Sequence, residues 1–112
     1  MKIAIPVAQG RLCMHFGHCE QFAIVDVNET TREILGEEFL TPPPHEPGLL
    51  PRWLAEKGAH CIIAGGMGGR AQGIFQEFNI KVYTGAPSAE PREIVEHFLN
   101  NSLVLGQNTC DH

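Results

Sequence analysis

The chain has 112 residues, with 13 Asp and Glu against 8 Lys and Arg, a formal charge of −5 with His neutral. That length predicts one domain, 1–112, with a core of its own. The acidic balance argues against a protein that grips nucleic acid through its phosphates. Six His and four Cys exceed the soft metal-ligand side chains that a core of this size requires.

Lys2–Val7 is an apolar run interrupted by Pro6, too short for an export signal, and reads as a first strand. No apolar run approaches the roughly 18 residues that cross a bilayer. A cytoplasmic protein is therefore expected, in which structural disulfides are unusual. The loop Ala8–His18 comes next. Gln21–Val27 alternates as a second strand, Asn28–Thr31 is a polar turn, and Arg32–Leu40 returns as a third strand, making a hairpin. Thr41–Gly48 holds four prolines and reads as a stiff, extended connector.

Leu49–Lys57 sets Leu50, Trp53 and Leu54 on one helical face, with Pro51 in the first turn and Gly58 suited to the C-terminal cap. Cys61–Ala64 is a short apolar strand covered on both faces, in which Cys61 behaves as a small buried hydrophobe. Gly65–Gly69 is a turn, and Arg70–Phe78 a second helix that points Ile74, Phe75 and Phe78 inward. Ile80–Tyr83 is a fifth strand and Thr84–Ala89 a loop. Glu90–Asn100 is a third helix, with Ile94, Val95, Phe98 and Leu99 on one face. Residues 101–112 are left as a tail, free to be flexible. The order β-β-β-α-β-α-β-α predicts an α/β, three-layer, ribonuclease H-like fold: a mixed five-stranded sheet, its second strand antiparallel to the rest, with three helices.

The densest chemistry is Cys13-Met14-His15-Phe16-Gly17-His18-Cys19. Two thiols and two imidazoles within seven residues can converge on one metal, because both suit zinc, copper and iron–sulfur species. The spacing is not that of a closed structural zinc site, and the alternative is a surface loop with unrelated His and Cys. Cys110 and His112 form a second pair whose interest lies in convergence with the first. Gly65-Gly66-Met67-Gly68-Gly69-Arg70 stands between a buried strand and a helix. It is either a tight turn or a cradle that offers N–H groups and the Arg70 charge to an anion. Met67 fits a soft ligand or a core cover equally well. His45 is undecided, while His60 and His97 read as structural or exposed.

Taken together, five segments resemble the dinitrogenase iron–molybdenum cofactor biosynthesis family, which includes NifX-type proteins, the C-terminal domain of NifB and the orange protein with its molybdenum–copper sulfide cluster. They are Met1–Val7, His15–Phe22, Pro44–Gly48, Ala64–Ala71 and Asn108–His112. The resemblance implies a ribonuclease H-like fold and a non-enzymatic role in binding, carrying or maturing an anionic metal–sulfur cluster of Fe–S, Mo–Fe–S or Mo–Cu–S type. It implies ligands at His15, His18 and Cys19 beside the glycine turn, with Cys13, Cys110 and His112 as further candidates. Cluster donor and acceptor proteins would be the partners of a monomer that binds neither nucleic acid nor membrane. Nuclease chemistry is not expected, because Lys2–Val7 carries no carboxylate for a two-metal site. The competing readings are a redox- or metal-sensing interaction module, and an enzyme using Cys19 as nucleophile with His15 or His18 as base.

Overall fold

Alternation along the first strand, β1 (Lys2–Ala8), sends Ile3, Ile5 and Val7 to one side of the sheet and Ala4 to the other. The computed structural model describes residues 1–14, 19–43 and 48–106. Further strands are β2 (Arg11–Leu12), β3 (Gln21–Asn28), β4 (Glu33–Leu40), β5 (Cys61–Ile63) and β6 (Lys81–Tyr83); the helices are α1 (Leu49–Glu56), α2 (Gly69–Glu77) and α3 (Pro91–Leu99). The sheet order is β4-β3-β1-β5-β6, with β2 paired to β1. β3 is antiparallel to both β1 and β4, whereas β5 runs parallel to β1 and to β6. This is the expected mixed sheet with its second long strand reversed.

Two cores sandwich the sheet. Leu50 and Leu54 of α1 and Phe75 of α2 close on Ala4, Phe22, Ile24 and Ile62. Ile94 and Val95 of α3 close on Ile3, Ile5, Val7, Val25 and Ile63. The helix stripes read from the 3.6-residue period are thus the buried ones. One expectation fails: Phe78 follows the last turn of α2 as its C-cap and is exposed, not directed inward. Cys61 is buried as a small hydrophobe, and loss of water pushes its thiol up to about 11.

The sixth strand, β2, was not anticipated within the loop Ala8–His18. Gln9 and Gly10 both have positive φ (54° and 79°), as a type I′ turn requires, and they close a hairpin in which Val7 faces Leu12 and Ala8 faces Arg11. Arg32, expected to open the third strand, instead has φ 61° and donates its N–H to Asn28 O (2.7 Å), so it belongs to the turn. His60 Nδ1 accepts the Lys2 N–H, and His97 Nδ1 lies 2.9 Å from Ser102 Oγ at the end of α3. Both residues are exposed, and each imidazole has a hydrogen-bonding partner in the fold. No helix among the described residues is long and apolar enough to cross a membrane.

Candidate metal centre

Parallel strands β1 and β5 end at the same side of the sheet, where an open α/β sheet customarily binds its ligands. Val7 is paired to Leu12 of β2 and to Gln21 of β3, so the two neighbours flank β1 on opposite edges. The Cys13 N–H donates to Pro6 O (2.8 Å) and the Glu20 N–H to Val7 O (2.9 Å). Glu20 is held again through its side chain, whose Oε1 accepts the Gln9 N–H at 3.0 Å. The span from Cys13 to Glu20 therefore leaves β1 on one edge and rejoins it on the other, and both thiols sit at its anchored ends.

Cys13 and Cys19 are partly buried. Cys19 packs on the cluster beneath α1 and α2. Burial pushes its thiol up to about 11; the Cys13 thiol adds to the rise, and a backbone hydrogen bond opposes it. This setting does not suit a nucleophile, which needs thiolate near neutral pH. At pH 7.5 we expect Cys19 in the metal-free protein to react with iodoacetamide about 10–100-fold more slowly than an unperturbed thiol, after allowing for the greater intrinsic nucleophilicity of a high-pKa thiolate. The rate should climb until about pH 11. Peptide mapping after timed alkylation measures it, and selective, fast labelling of Cys19 at pH 7 would restore the nucleophile reading.

The glycine turn leaves β5 directly against this loop. A Cβ on Gly65 would lie 3.0 Å from Met14 Cα and 3.2 Å from Leu12 Cδ2, so the missing side chain lets the two backbones touch. Leu12 is fixed in turn by the next loop: its N–H donates to Ala89 O (2.9 Å) and its carbonyl accepts Ser88 Oγ (3.2 Å). Gly65 and Gly66 are buried, Gly68 is half-buried, and Gly69 and Arg70 are exposed. Gly68 is the N-cap of α2 in an extended conformation and has no side chain to cap the helix. Gly69 and Arg70 are the exposed residues of this first turn, where N–H groups have no partner within the helix.

Met67 points the other way. Its side chain is completely buried in the core with Phe75, and its carbonyl accepts Gln72 Nε2 at 2.9 Å. Of the two roles its position allowed, covering the core is the one its side chain fills. His15, His18, His45, Cys110 and His112 lie outside the described residues. Among the described residues no three of His, Cys, Asp and Glu gather as a metal set. What the described residues bring together is Cys13, Cys19 and, through Met14, Gly65 at the start of the glycine turn. Met14, the residue on which that turn rests, went unrecognised because a contact between residues 51 apart in sequence leaves no local pattern.

Known proteins are similar to this chain in sequence and fold. An uncharacterised protein of Methanocaldococcus jannaschii, MJ0580, is 34% identical over 107 residues, 92% of this chain and 89% of that protein. The crystal structure of PH0822 superposes with a TM-score of 0.86 at 27% identity, covering 94% of each chain. The apo form of the orange protein from Desulfovibrio gigas shares the fold, with a TM-score of 0.72 at 23% identity over 96% of this chain and 93% of that one. Residues 1–101 match the family described as dinitrogenase iron-molybdenum cofactor, and the chain belongs to that family.

Proposed function

We propose that this protein is a non-enzymatic scaffold that binds an anionic metal–sulfur cluster and passes it between donor and acceptor proteins during cofactor biosynthesis or trafficking. The observation that carries the reading is the pair Cys13 and Cys19, fixed at the two ends of a span anchored on Pro6 and Val7, with the Gly65 turn packed against Met14 beside it. His15 and His18 fall within that span in the sequence. Thiolate and imidazole would hold the metals. The uncapped start of α2 at Gly69 and Arg70 would face the cluster's negative sulfides with N–H groups and one full charge.

The donor chemistry fits such a cargo. The Cys19 thiol, kept protonated in the free protein first by burial and then by the neighbouring Cys13, is a poor thiolate until a cation arrives, and a cation reverses that balance. Binding therefore releases protons and strengthens as pH rises. A Cys19 that yields its thiolate only to a strong Lewis acid, and otherwise stays protonated, suits temporary carriage better than covalent catalysis. Family membership supports the same cargo, Fe–S, Mo–Fe–S or Mo–Cu–S, without choosing among them.

Anaerobic reconstitution with iron, molybdenum, copper and sulfide tests the proposal, read by elemental analysis and visible spectra after desalting. Wild type should retain metal and sulfide together. A variant with Cys13, His15, His18 and Cys19 all changed to Ala should bind about 100-fold or more weakly, because even supporting residues of metal sites contribute 10–100-fold. Equal and negligible retention by both proteins sinks the carrier reading.

A further inference from the structure

The outer edge of a sheet carries N–H and C=O groups that invite another strand, and folded chains usually keep such edges short. One edge of this sheet, β6, is three residues long; the other, β4, is eight. Among the described residues no strand pairs with the outer side of β4. Asp26 faces Gly36 and Val27 faces Ile34, so Leu35 is an extra residue bulged out of the ladder. Leu35 is 60% exposed and Phe39 44%. Charges and a bulge would suffice to blunt an edge against stray pairing. Two large apolar side chains held in water serve the opposite end, a contact.

Charge selects what makes it. The charged residues of β4 are Glu33, Glu37 and Glu38, with no Lys or Arg among them. A second copy laid antiparallel, with Leu35 against Phe39, would set Glu37 against Glu37, and like charges directly opposite are destabilising. A basic strand matches instead. Lys2, Ile24, Asp26, Gly36, Glu37 and Glu38 line a groove of about 270 Å³ beside this edge. Gly36 leaves it open, since a Cβ there would meet nothing within 4 Å. Ile24 is buried and offers an apolar floor to the stem of a long side chain. Three carboxylates against the single ammonium of Lys2 attract a cationic head. A residue facing Glu38 across the edge shares the Gly36 side of the sheet, so its side chain is the one that reaches this groove.

We propose that β4 is a docking edge that takes an extended, basic segment of another protein as an added strand. The segment carries consecutive basic residues opposite Glu37 and Glu38, and apolar ones opposite Leu35 and Phe39. β4 ends at Leu40, which is paired to Phe22, three residues after Cys19. A strand seated there has one end on the side of the thiol loop. This deepens the carrier reading and rests on it only for the purpose of docking, which is to align a cluster donor or acceptor with the centre.

The probe is a fluorescein-labelled peptide, Thr-Val-Arg-Lys-Thr-Val-Thr-Lys, titrated with the full-length, metal-free protein and read by anisotropy. Antiparallel to β4, it sets Arg against Glu38, Lys against Glu37 and Glu33, and Val against Phe39 and Leu35. Saturable binding is expected, with hydrogen exchange slowed in 33–40. A peptide with Glu at its three basic positions should bind about tenfold or more weakly, as should the Glu37→Lys/Glu38→Lys protein. Gly36→Leu should also weaken binding by filling the groove, while melting no lower than wild type, because Gly36 is not at positive φ.

No saturation by about 1 mM overturns the proposal. So does equal binding of a scrambled peptide, which would mean charge attraction without strand pairing, or a complex that leaves exchange in 33–40 unchanged. Self-association that protects 33–40 without peptide makes the occupant a second copy and overturns it as well. Cluster retention by a protein that ignores the peptide would leave the carrier reading standing and this inference refuted. Peptide binding by a protein that retains no cluster would do the reverse.

Discussion

Met67→Leu should leave both fold and metal binding intact, whereas Met67→Ala should cost about 2–5 kcal/mol. The side chain is fully buried with Phe22, Leu54 and Phe75, in the cluster that joins α1 and α2 to the sheet. Removing its thioether and methylenes opens a cavity in a place pinned on every side: the backbone is tied to Gln72 at 2.9 Å, and α2 starts two residues later. Leu conserves the volume closely enough to cost less than about 1.5 kcal/mol. Thermal unfolding measures the difference; at roughly 4 °C per kcal/mol for a chain of this size, Met67→Ala should melt some 8–20 °C lower. The pair of variants also separates two chemical roles. A thioether that ligates metal cannot be replaced by Leu, so reconstituted Met67→Leu should lose its cluster if Met67 is a ligand and keep it if the residue is core. Retained binding in a stable Met67→Leu protein is the outcome its burial predicts.

That residue shows where sequence reasoning stops. Helix faces were legible because burial repeats every three or four residues: Leu50 and Leu54, and Ile94 and Val95, are where the period places them. The β3–β4 hairpin was legible from alternation around a polar turn, in which Asn28 Oδ1 accepts the N–H groups of Thr30 and Thr31. β2 was not, since two residues cannot establish a period and Gln9-Gly10 lacks the Asn or Asp that usually marks a type I′ turn. Phe78 misled because it keeps the helical spacing one residue past the last turn, where the chain already bends away.

The candidate centre divides the same way. Cys13 and Cys19 stood out by composition, and the structure adds that Pro6 and Val7 anchor the span between them. The glycine turn stood out too, but its glycines do different things. Gly65 is there for a close approach, whereas Gly69 faces open space at the start of a helix. Glycine is the one residue type whose reason for being present is always another part of the molecule or a backbone angle, and neither is written nearby in the chain. Gly85 and Gly106, 21 residues apart, make the same point: each looks like an ordinary loop glycine until the other is placed against it.

The distinction between Gly65 and Gly69 predicts opposite results from the same substitution. A Cβ at Gly65 meets Met14 Cα at 3.0 Å, Met14 Sδ at 3.1 Å and Leu12 Cδ2 at 3.2 Å. The sulfur can swing aside, but the other two are held. Leu12 is buried and bonded to Ala89, and the Cys13 N–H is bonded to Pro6. Gly65→Ala must therefore push the 12–14 segment off β1 or β5 off its neighbour, at about 1–3 kcal/mol. Because Cys13 moves with that segment, cluster affinity should fall about 10–100-fold, the range for residues that orient a ligand. Gly69→Ala meets nothing within 4 Å and lies in the first turn of α2 at ordinary φ. It should stabilise the fold by about 0.4–1 kcal/mol, through a less flexible unfolded chain. Both variants keep their backbone N–H, so any shared loss of binding would mean that the cluster itself presses against both glycines. Denaturant unfolding and reconstitution of the two proteins side by side decide the matter. If Gly65→Ala is as stable as wild type and binds as well, the Gly65–Met14 contact does not position the thiol loop.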